Sequence, residues 1–446
     1  MPDSSVRNDP RTLFGWAFYD WANSAFAVAS GAIVAPFFTD VIVPEDGYSG
    51  MSGETLWAWL VAAGTLVLAL AMPLLGAVAD STSAKRRFMW FFAWTGAAFT
   101  LAVPWVSEGS VVLFLGLFVV AQIGFTAANV FYDGFLPELT SDDTIDSTSA
   151  RGFAYGYMGG GLFLILAFVV IVLSGDGGVL GMSRETAARV AIAGAGIWWV
   201  GFSLVALRRL PRAGDGVPLP ARYRDWSAPR AYAALGFRRT WQTTRRLRRF
   251  PQLMLFVIAF ILYMDGVQTV TNIGGAYAAD TLDLSSESII AGFLLVQFVA
   301  FGGALGFGWL ADRIGAKRGI LGGLAIWTAV TVAAVFLPSG ETVPFFGLLA
   351  ILGLALGGVS ALSRSLYGSM IPEQASAEFF GFFTVFSRVS AIGGPIVFGI
   401  VSSVTGSGRP AILSIAAFFL IGGLLLSLVD VGAARAGRER WAEILS

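Results

Sequence analysis

Twelve stretches of mostly apolar residues, each about 20 residues or longer, constrain this chain more than any other feature. They fall at 13–41, 55–79, 88–106, 109–138, 150–174, 186–207, 251–279, 287–311, 319–338, 342–371, 378–404 and 408–430. At a rise of about 1.5 Å per residue, about 20 residues of helix cross the roughly 30 Å hydrocarbon core of a bilayer. Inside that core a backbone amide has no water to bond, so a spanning segment must satisfy its own amides, which a helix does. The fold class expected is therefore an all-α membrane protein of twelve transmembrane helices. Composition agrees: 13% of the residues are charged, against about 25% in a soluble domain. Residues 1–12 are polar and the first apolar stretch is longer than the core of a secretory signal, so it is read as a retained first helix.

One connector is long. Residues 208–250 hold twelve arginines and divide the chain into an N-terminal six-helix bundle (1–207), a basic linker (208–250), and a C-terminal six-helix bundle with a tail (251–446). With the N-terminus placed in the cytoplasm, the inner segments carry 24 basic residues and the outer loops three, Arg184, Arg189 and Arg409. That bias orients membrane proteins with basic loops inside, so both termini and the linker are expected to be cytoplasmic. The halves also repeat. Gly76 to Asp80 with Lys85-Arg86 recurs as Gly308 to Asp312 with Lys317-Arg318. Leu136-Pro137-Glu138 recurs as Ile371-Pro372-Glu373, and Gly152-Phe153 as Gly381-Phe382, at offsets of 232, 235 and 229. Repeated six-helix units with a site between them are a transporter architecture. Two readings of the linker stay open: a solvated basic connector, or an amphipathic helix near 231–249 lying on an anionic inner leaflet.

The chain has no cysteine and no histidine. Disulfides and thiolate chemistry are excluded, and a proton carrier would have to be Asp or Glu. No Gly-rich phosphate-binding run precedes a Lys-Ser or Lys-Thr pair, so ATP-driven pumping within the chain is not expected. No enzyme activity, metal, cofactor or nucleic-acid partner is expected; the partners foreseen are a small-molecule substrate, protons and the lipid bilayer, around a monomer. Two lysines against 27 arginines suggest a GC-rich bacterial genome, and hence a plasma (inner) membrane location.

The run Gly308-x-x-x-Asp312-Arg313-x-Gly315-x-Lys317-Arg318 resembles the signature loop of the major facilitator superfamily. The copy at Gly76 departs from it, with Ser81 for Arg and Ser83 for Gly. Four further stretches resemble one branch, the vacuolar amino-acid-effluxer-like (autophagy-related) transporters and their bacterial relatives. They are Tyr19-Asp20-Trp21-Ala22-Asn23-Ser24-Ala25-Phe26, Tyr132-Asp133-Gly134-Phe135-Leu136-Pro137-Glu138, Tyr263-Met264-Asp265-Gly266-Val267-Gln268-Thr269 and Ala377-Glu378-Phe379-Phe380-Gly381. The resemblance implies two pseudo-symmetric bundles whose first, fourth, seventh and tenth helices line a cavity. It also implies gating residues in the two loops: Gly76, Asp80, Arg86, Gly308, Asp312, Arg313 and Lys317, with the intact second copy the stronger candidate.

Five charges fall within the spans: Asp20, Asp133, Asp265, Arg364 and Arg388. Each costs about 2.5–3.5 kcal/mol near a helix centre, so such side chains face a cavity or one another. Gln122, Thr126, Asn129 and Asp133 share one helical face, as do Asp265, Gln268, Thr269 and Asn272. Asp20 and Asn23 mark the first helix, Ser360, Arg364 and Tyr367 the tenth, and Thr384, Ser387 and Arg388 the eleventh. Asp265 lies 14 residues after Pro251, about 21 Å along a helix and so near mid-depth; Arg388 is expected at similar depth. Two readings stand. Asp265, with Asp20 behind it, binds a cation or proton while Arg388 binds an anion, which would suit an amino acid; or the charges neutralise one another across the bundle. Asp133 and Arg364 fit gate latches as well as ligands. Gly159-Gly160-Gly161 and Gly393-Gly394-Pro395 mark close packing or a kink. Trp57, Trp59, Trp105, Trp198 and Trp199 are read as interface anchors. The function expected is proton-coupled secondary transport of a small polar solute, amino acids first. The alternatives are export of an amphipathic or aromatic compound, or a non-transporting receptor or scaffold.

Overall fold

The computed structural model describes residues 7–175, 178–211, 223 and 226–445. Arg212, Arg222 and Arg224 of the linker lie outside the described residues. Among those described, twelve helices are long and apolar enough to cross a membrane. In chain order they are Pro10–Ile42, Gly53–Thr82, Lys85–Trp105, Val111–Leu139, Ile145–Val172, Arg184–Arg209, Pro251–Asp280, Ser286–Ile314, Ala316–Val335, Thr342–Met370, Glu373–Thr405 and Gly408–Ser427. The only β pairing described is an isolated bridge between Tyr48 and Met51.

Local chemistry starts and stops these helices. Asp9, Ser52, Ser183 and Ser285 each accept an amide N–H from the first turn of the helix they precede, supplying a partner that the helix cannot. Thr12 donates both its amide and its hydroxyl to Asp9, holding that carboxyl below the usual carboxylate range. The first span widens into π-type turns at Ser30–Val34 and Phe38–Ile42, on either side of Pro36, which has no N–H to give.

Cations staple helices within each half. At one end Arg86 donates to Leu207 O, at 2.8 and 3.1 Å, tying the third span to the end of the sixth. Lys317 donates to Ser427 O and Val429 O, both at 2.8 Å, tying the ninth span to the end of the twelfth. At the opposite end Arg189 reaches Pro104 O and Val106 O, and Arg409 reaches Val335 O and Leu337 O. Each fills carbonyls left open at a helix C-terminus, where positive charge is favoured. Two of the three outer-loop arginines are thus structural caps, and their equivalent placement repeats the internal symmetry.

The halves meet at the end that carries the basic loops, called here the basic end. Gly76 lies so close to the eleventh span that a Cβ there would stand 2.2 Å from Ala377 O. A Cβ on Gly308 would stand 2.4 Å from the Cβ of Ala150 in the fifth span. Ser149 donates to Ala361 O of the tenth span at 2.7 Å. Both signature-loop glycines are therefore points of close approach between the halves.

Three expectations change. The eleventh span is broken: Ser376–Val389 and Gly393–Thr405 are separate helices joined through Ser390 to Ile392, so Gly393-Gly394-Pro395 marks an interruption. The linker contains a helix, Ala228–Leu247, which favours the amphipathic-helix reading of 231–249 over a bare solvated connector, and the tail holds a second, Val431–Leu445, which the spanning pattern does not single out. Of the tryptophans, Trp59 (64% exposed) and Trp105 (85%) fit interface anchors, whereas Trp199 is fully buried and Trp198 stacks on Trp21 inside the N-terminal half.

Small residues hold the eighth and tenth spans together, with a Cβ on Gly303 due 2.3 Å from Leu354 O and one on Gly357 due 2.2 Å from Ala300 O. Overpacking of this kind costs about 1–3 kcal/mol. Gly303→Val and Gly357→Val are each expected to lower the thermal unfolding midpoint in detergent, while Gly322→Val, with no atom near its Cβ position, leaves it close to the parent value.

Candidate functional site

Arg364 projects from the tenth span into the opposite half. Its Nη1 donates to Asp133 Oδ1 at 3.0 Å and to Asp20 Oδ2 at 3.4 Å. Its Nε and Nη2 donate to Ser149 Oγ at 3.0 Å and Ser149 O at 2.9 Å. The guanidinium carbon lies 4.2, 5.0 and 5.3 Å from the ring centres of Phe153, Trp16 and Tyr132. Tyr132 donates its hydroxyl to Asp20 at 3.1 Å, and Trp16 donates to Tyr132 O at 2.7 Å. Every group in this cage belongs to the N-terminal half. Gly152 makes room for it, since a Cβ there would stand 2.6 Å from Tyr132 Oη and 2.8 Å from Arg364 Nη2. Arg364 is 4% exposed, and the cluster sets two carboxyl groups against one guanidinium.

A second cluster closes the basic end beside the second and eleventh spans. Asp80 accepts the amides of Ala377 and Glu378 at 3.3 and 2.8 Å, capping the helix Ser376–Val389 from across the interface. An anion at a helix N-terminus is favoured by the open amides and the helix dipole. Lys85 stands 3.2 Å from Asp80 and 2.5 Å from Glu138, and donates to Ser376 Oγ at 2.6 Å. Arg239 of the linker helix donates to Glu378 Oε2 at 3.0 Å and to Ser81 Oγ at 2.8 Å. Toward the periphery Arg7 pairs with Glu373, and Arg438 of the tail helix with Asp142.

A cavity of about 230 Å³ lies away from these clusters, walled by the N-terminal half except for one residue of the C-terminal half. The first, second and fourth spans line it through Ser30, Trp57, Thr65 and Gln122, and the eleventh contributes Arg388. Arg388, half-buried, is its one charged lining residue and has no hydrogen-bond or ion-pair partner among the described residues.

The polar stripe of the fourth span therefore runs from cavity to gate: Gln122 at the cavity, Asn129 accepting from Asn23 at 2.6 Å, and Asp133 on Arg364. Asp20, Asn23, Asn129, Asp133 and Arg364 are gathered along the facing sides of the first, fourth and tenth spans. Asp265 is not with them. It is 5% exposed and accepts Gly394 N–H at 2.8 Å, so it caps the second piece of the broken eleventh span inside its own half and does not oppose Arg388 across a chamber. A backbone amide freed by the helix break explains the demand for that carboxylate. Gln268 is half-buried and Asn272 exposed, and neither lines this cavity. Trp57 is a cavity wall in place of an interface anchor.

The gating assignments also shift. The degenerate loop makes the cross-half contacts, through Gly76 and Asp80. In the intact loop Gly308 is a contact point, but Asp312 and Arg313 are exposed, Arg313 lies over Trp309 at 3.5 Å, and among the described residues Asp312 makes no ion pair within 4 Å, the charge that acts on it being that of Arg151 in the fifth span. Arg86 and Lys317 are staples within a half. The residues that sequence reasoning missed as gate parts are Lys85, Glu138, Ser149, Arg239, Ser376 and Glu378. Glu138 and Glu378 stood inside motifs already singled out, but their partners come from distant segments.

A twelve-helix bundle in two similar halves, joined by buried ion clusters at one end and enclosing a cavity, defines a membrane transporter of the major facilitator fold. The solved Escherichia coli fucose:proton symporter FucP superposes with a TM-score of 0.68 at 16% identity, over 94% of this chain and 98% of that one. The chain belongs to the Atg22-like family, matching the family described as "Vacuole effluxer Atg22 like" over residues 53–148 and 140–439. The uncharacterized MFS-type transporter YxiO of Bacillus subtilis is 31% identical over 93% of this chain and 94% of its own length. Autophagy-related protein 22 of Chaetomium globosum is 28% identical over 69% of this chain and 49% of its own.

Removing one partner of a buried ion pair costs about 3–5 kcal/mol because the other charge is left bare. Asp80→Asn is therefore expected to loosen the basic end and Asp312→Asn to leave it closed. The cysteine-free chain allows a direct reading through maleimide labelling of a Ser365→Cys variant, where the serine is fully buried. Labelling should rise about tenfold or more, equivalent to about 1.4 kcal/mol, with Asp80→Asn alone; equal rates in the two variants would reverse the assignment.

Proposed function

We propose that this transporter works by alternating access, that its basic end faces the cytoplasm, and that it carries a small polar solute bearing an anionic group, amino acids being the first class to test. The observation that carries this reading is Arg388, without a side-chain partner among the described residues, reaching from the C-terminal half into a cavity walled by the N-terminal half. A lone guanidinium at membrane depth costs about 2.5–3.5 kcal/mol, and an anionic ligand offsets that cost in a way water at the cavity mouth does only in part. Arg364, the other intramembrane arginine, is already matched by Asp20 and Asp133, so the two arginines have different jobs: one closes, one binds.

Proton coupling is assigned to the Asp20–Asp133–Arg364 cluster rather than to Asp265. The cluster has one carboxylate more than it has guanidinium, so uptake of one proton leaves it neutral and weakens the tie across the halves. Moving one charge through 100 mV yields about 2.3 kcal/mol, enough for about fortyfold accumulation. Residence in a plasma membrane and monomeric action belong to the same proposal.

Export of an amphipathic compound would draw on a second cavity, of about 80 Å³, walled by Val270, Phe293, Phe345, Leu349 and other apolar groups. That cavity is lined by the C-terminal half alone, so a solute there would not be passed between the halves. An open cavity also disfavours an inert scaffold, which has no use for an uncompensated cation.

In a thermal-shift screen of purified protein, small carboxylates and amino acids are expected to stabilise the parent and to lose that effect in Arg388→Gln. Stabilisation by organic cations alone would refute the anionic assignment. In proteoliposomes, Asp133→Asn is expected to retain solute exchange while losing acceleration by an imposed pH gradient; a gradient response equal to the parent's removes the cluster from coupling.

A further inference from the structure

We propose that the linker helix Ala228–Leu247 is a lipid-docked bolt on the gate: its outer face binds the anionic headgroups of the adjacent leaflet, and its inner face delivers Arg239 into the position that the first signature loop has lost. Ser81 stands where the second copy has Arg313. The guanidinium of Arg239 comes to that place from 158 residues away, donating to Ser81 Oγ at 2.8 Å, Glu378 Oε2 at 3.0 Å and Gln374 O at 3.3 Å. It joins the second span of one half to the eleventh span of the other. The Glu378 side chain is fully buried, and among the described residues its Oε1 has no hydrogen-bond partner and Arg239 is the cation paired with its Oε2.

The helix is shaped for both contacts. Gly236 lets it lie against the second span, where a Cβ would stand 2.9 Å from Val78 and 3.1 Å from Leu74 O. Ala231, Thr243 and Leu247 are buried. On the other side Phe237 and Trp241 are 63% and 50% exposed, beside exposed Arg238, Arg245 and Arg248. Arg245 lies over the Trp241 ring at 4.8 Å. Residues 228–247 contain no Asp or Glu. The helix ends three residues before the seventh span begins at Pro251, which places it at the membrane surface. Aromatic rings among arginines, with no acid, match the boundary of a leaflet carrying negative headgroups. Lipid on the outer face thus holds the inner face in the gate.

The test uses the full chain reconstituted in phosphatidylcholine alone or with phosphatidylglycerol added. An environment-sensitive dye on a Thr244→Cys variant reports docking of the helix, and maleimide labelling of the Ser365→Cys variant reports gate closure. Phosphatidylglycerol is expected to blue-shift the dye and slow gate labelling several-fold, and the combined Arg238→Ser, Arg245→Ser and Arg248→Ser changes should abolish both responses. Arg239→Gln should keep the dye response and speed gate labelling several-fold. Adding Ser81→Arg to Arg239→Gln should restore slow labelling, which a misfolded variant would not do. Identical dye spectra and labelling rates in the two bilayers, or a gate indifferent to Arg239→Gln, would overturn the proposal.

Discussion

A guanidinium enclosed between two helical bundles has no solvent to stabilise it, so its countercharges must come from whichever bundle it touches. Arg364 belongs to the C-terminal half and takes all of its side-chain partners from the N-terminal half. The two halves are consequently held in one register at the basic end by a contact that either half alone leaves bare. Buried ion pairs add little net stability over apolar packing, and are better suited to specifying one arrangement among several. The closed end is therefore well defined in its geometry without being held by a large net gain in stability.

The signature loops show how a repeated sequence can be put to unequal use. Both copies keep a glycine where the halves touch, because a Cβ at Gly76 would meet the backbone of Ala377 and one at Gly308 the methyl of Ala150. Beyond that point they diverge. In the first copy Asp80 crosses the interface to the start of the eleventh span, whereas in the second Asp312 remains exposed. The copy that matches the family pattern is therefore the looser partner, and the altered copy is embedded in a network that includes the linker. The basic residues that follow, Arg86 and Lys317, serve each half separately by closing the carbonyl ends of the sixth and twelfth spans.

The spans were legible because hydrophobic length is a property of each segment alone, and the break in the eleventh was marked by Gly393-Gly394-Pro395. The polar face of the fourth span was legible too, since helical periodicity places Gln122, Asn129 and Asp133 on one line. Partner choice was not. Depth along a helix put Asp265 and Arg388 at similar levels, but nothing in the spacing says that Asp265 turns to a freed amide within its own half. Arg239 was hidden for a related reason: a serine in place of an arginine is visible in the loop, but its replacement lies 158 residues on, in a polar segment with no spanning signal. Lys85 and Ser376, 291 residues apart, pose the same difficulty.

The interrupted eleventh span gives the gate and the cavity a common moving part. Its first piece, Ser376–Val389, is a short straight rod with Glu378 near one tip and Arg388 near the other. Their separation of ten positions spans about 15 Å. The near tip rests on Asp80 of the opposite half, while the second piece beyond the break stays anchored to Asp265 of its own. Like a seesaw plank pinned only beyond one end, the rod carries both side chains on one rigid piece, so a tilt at the Glu378 tip would swing the cavity arginine, and the proposed alternation would make occupancy above and release below one event.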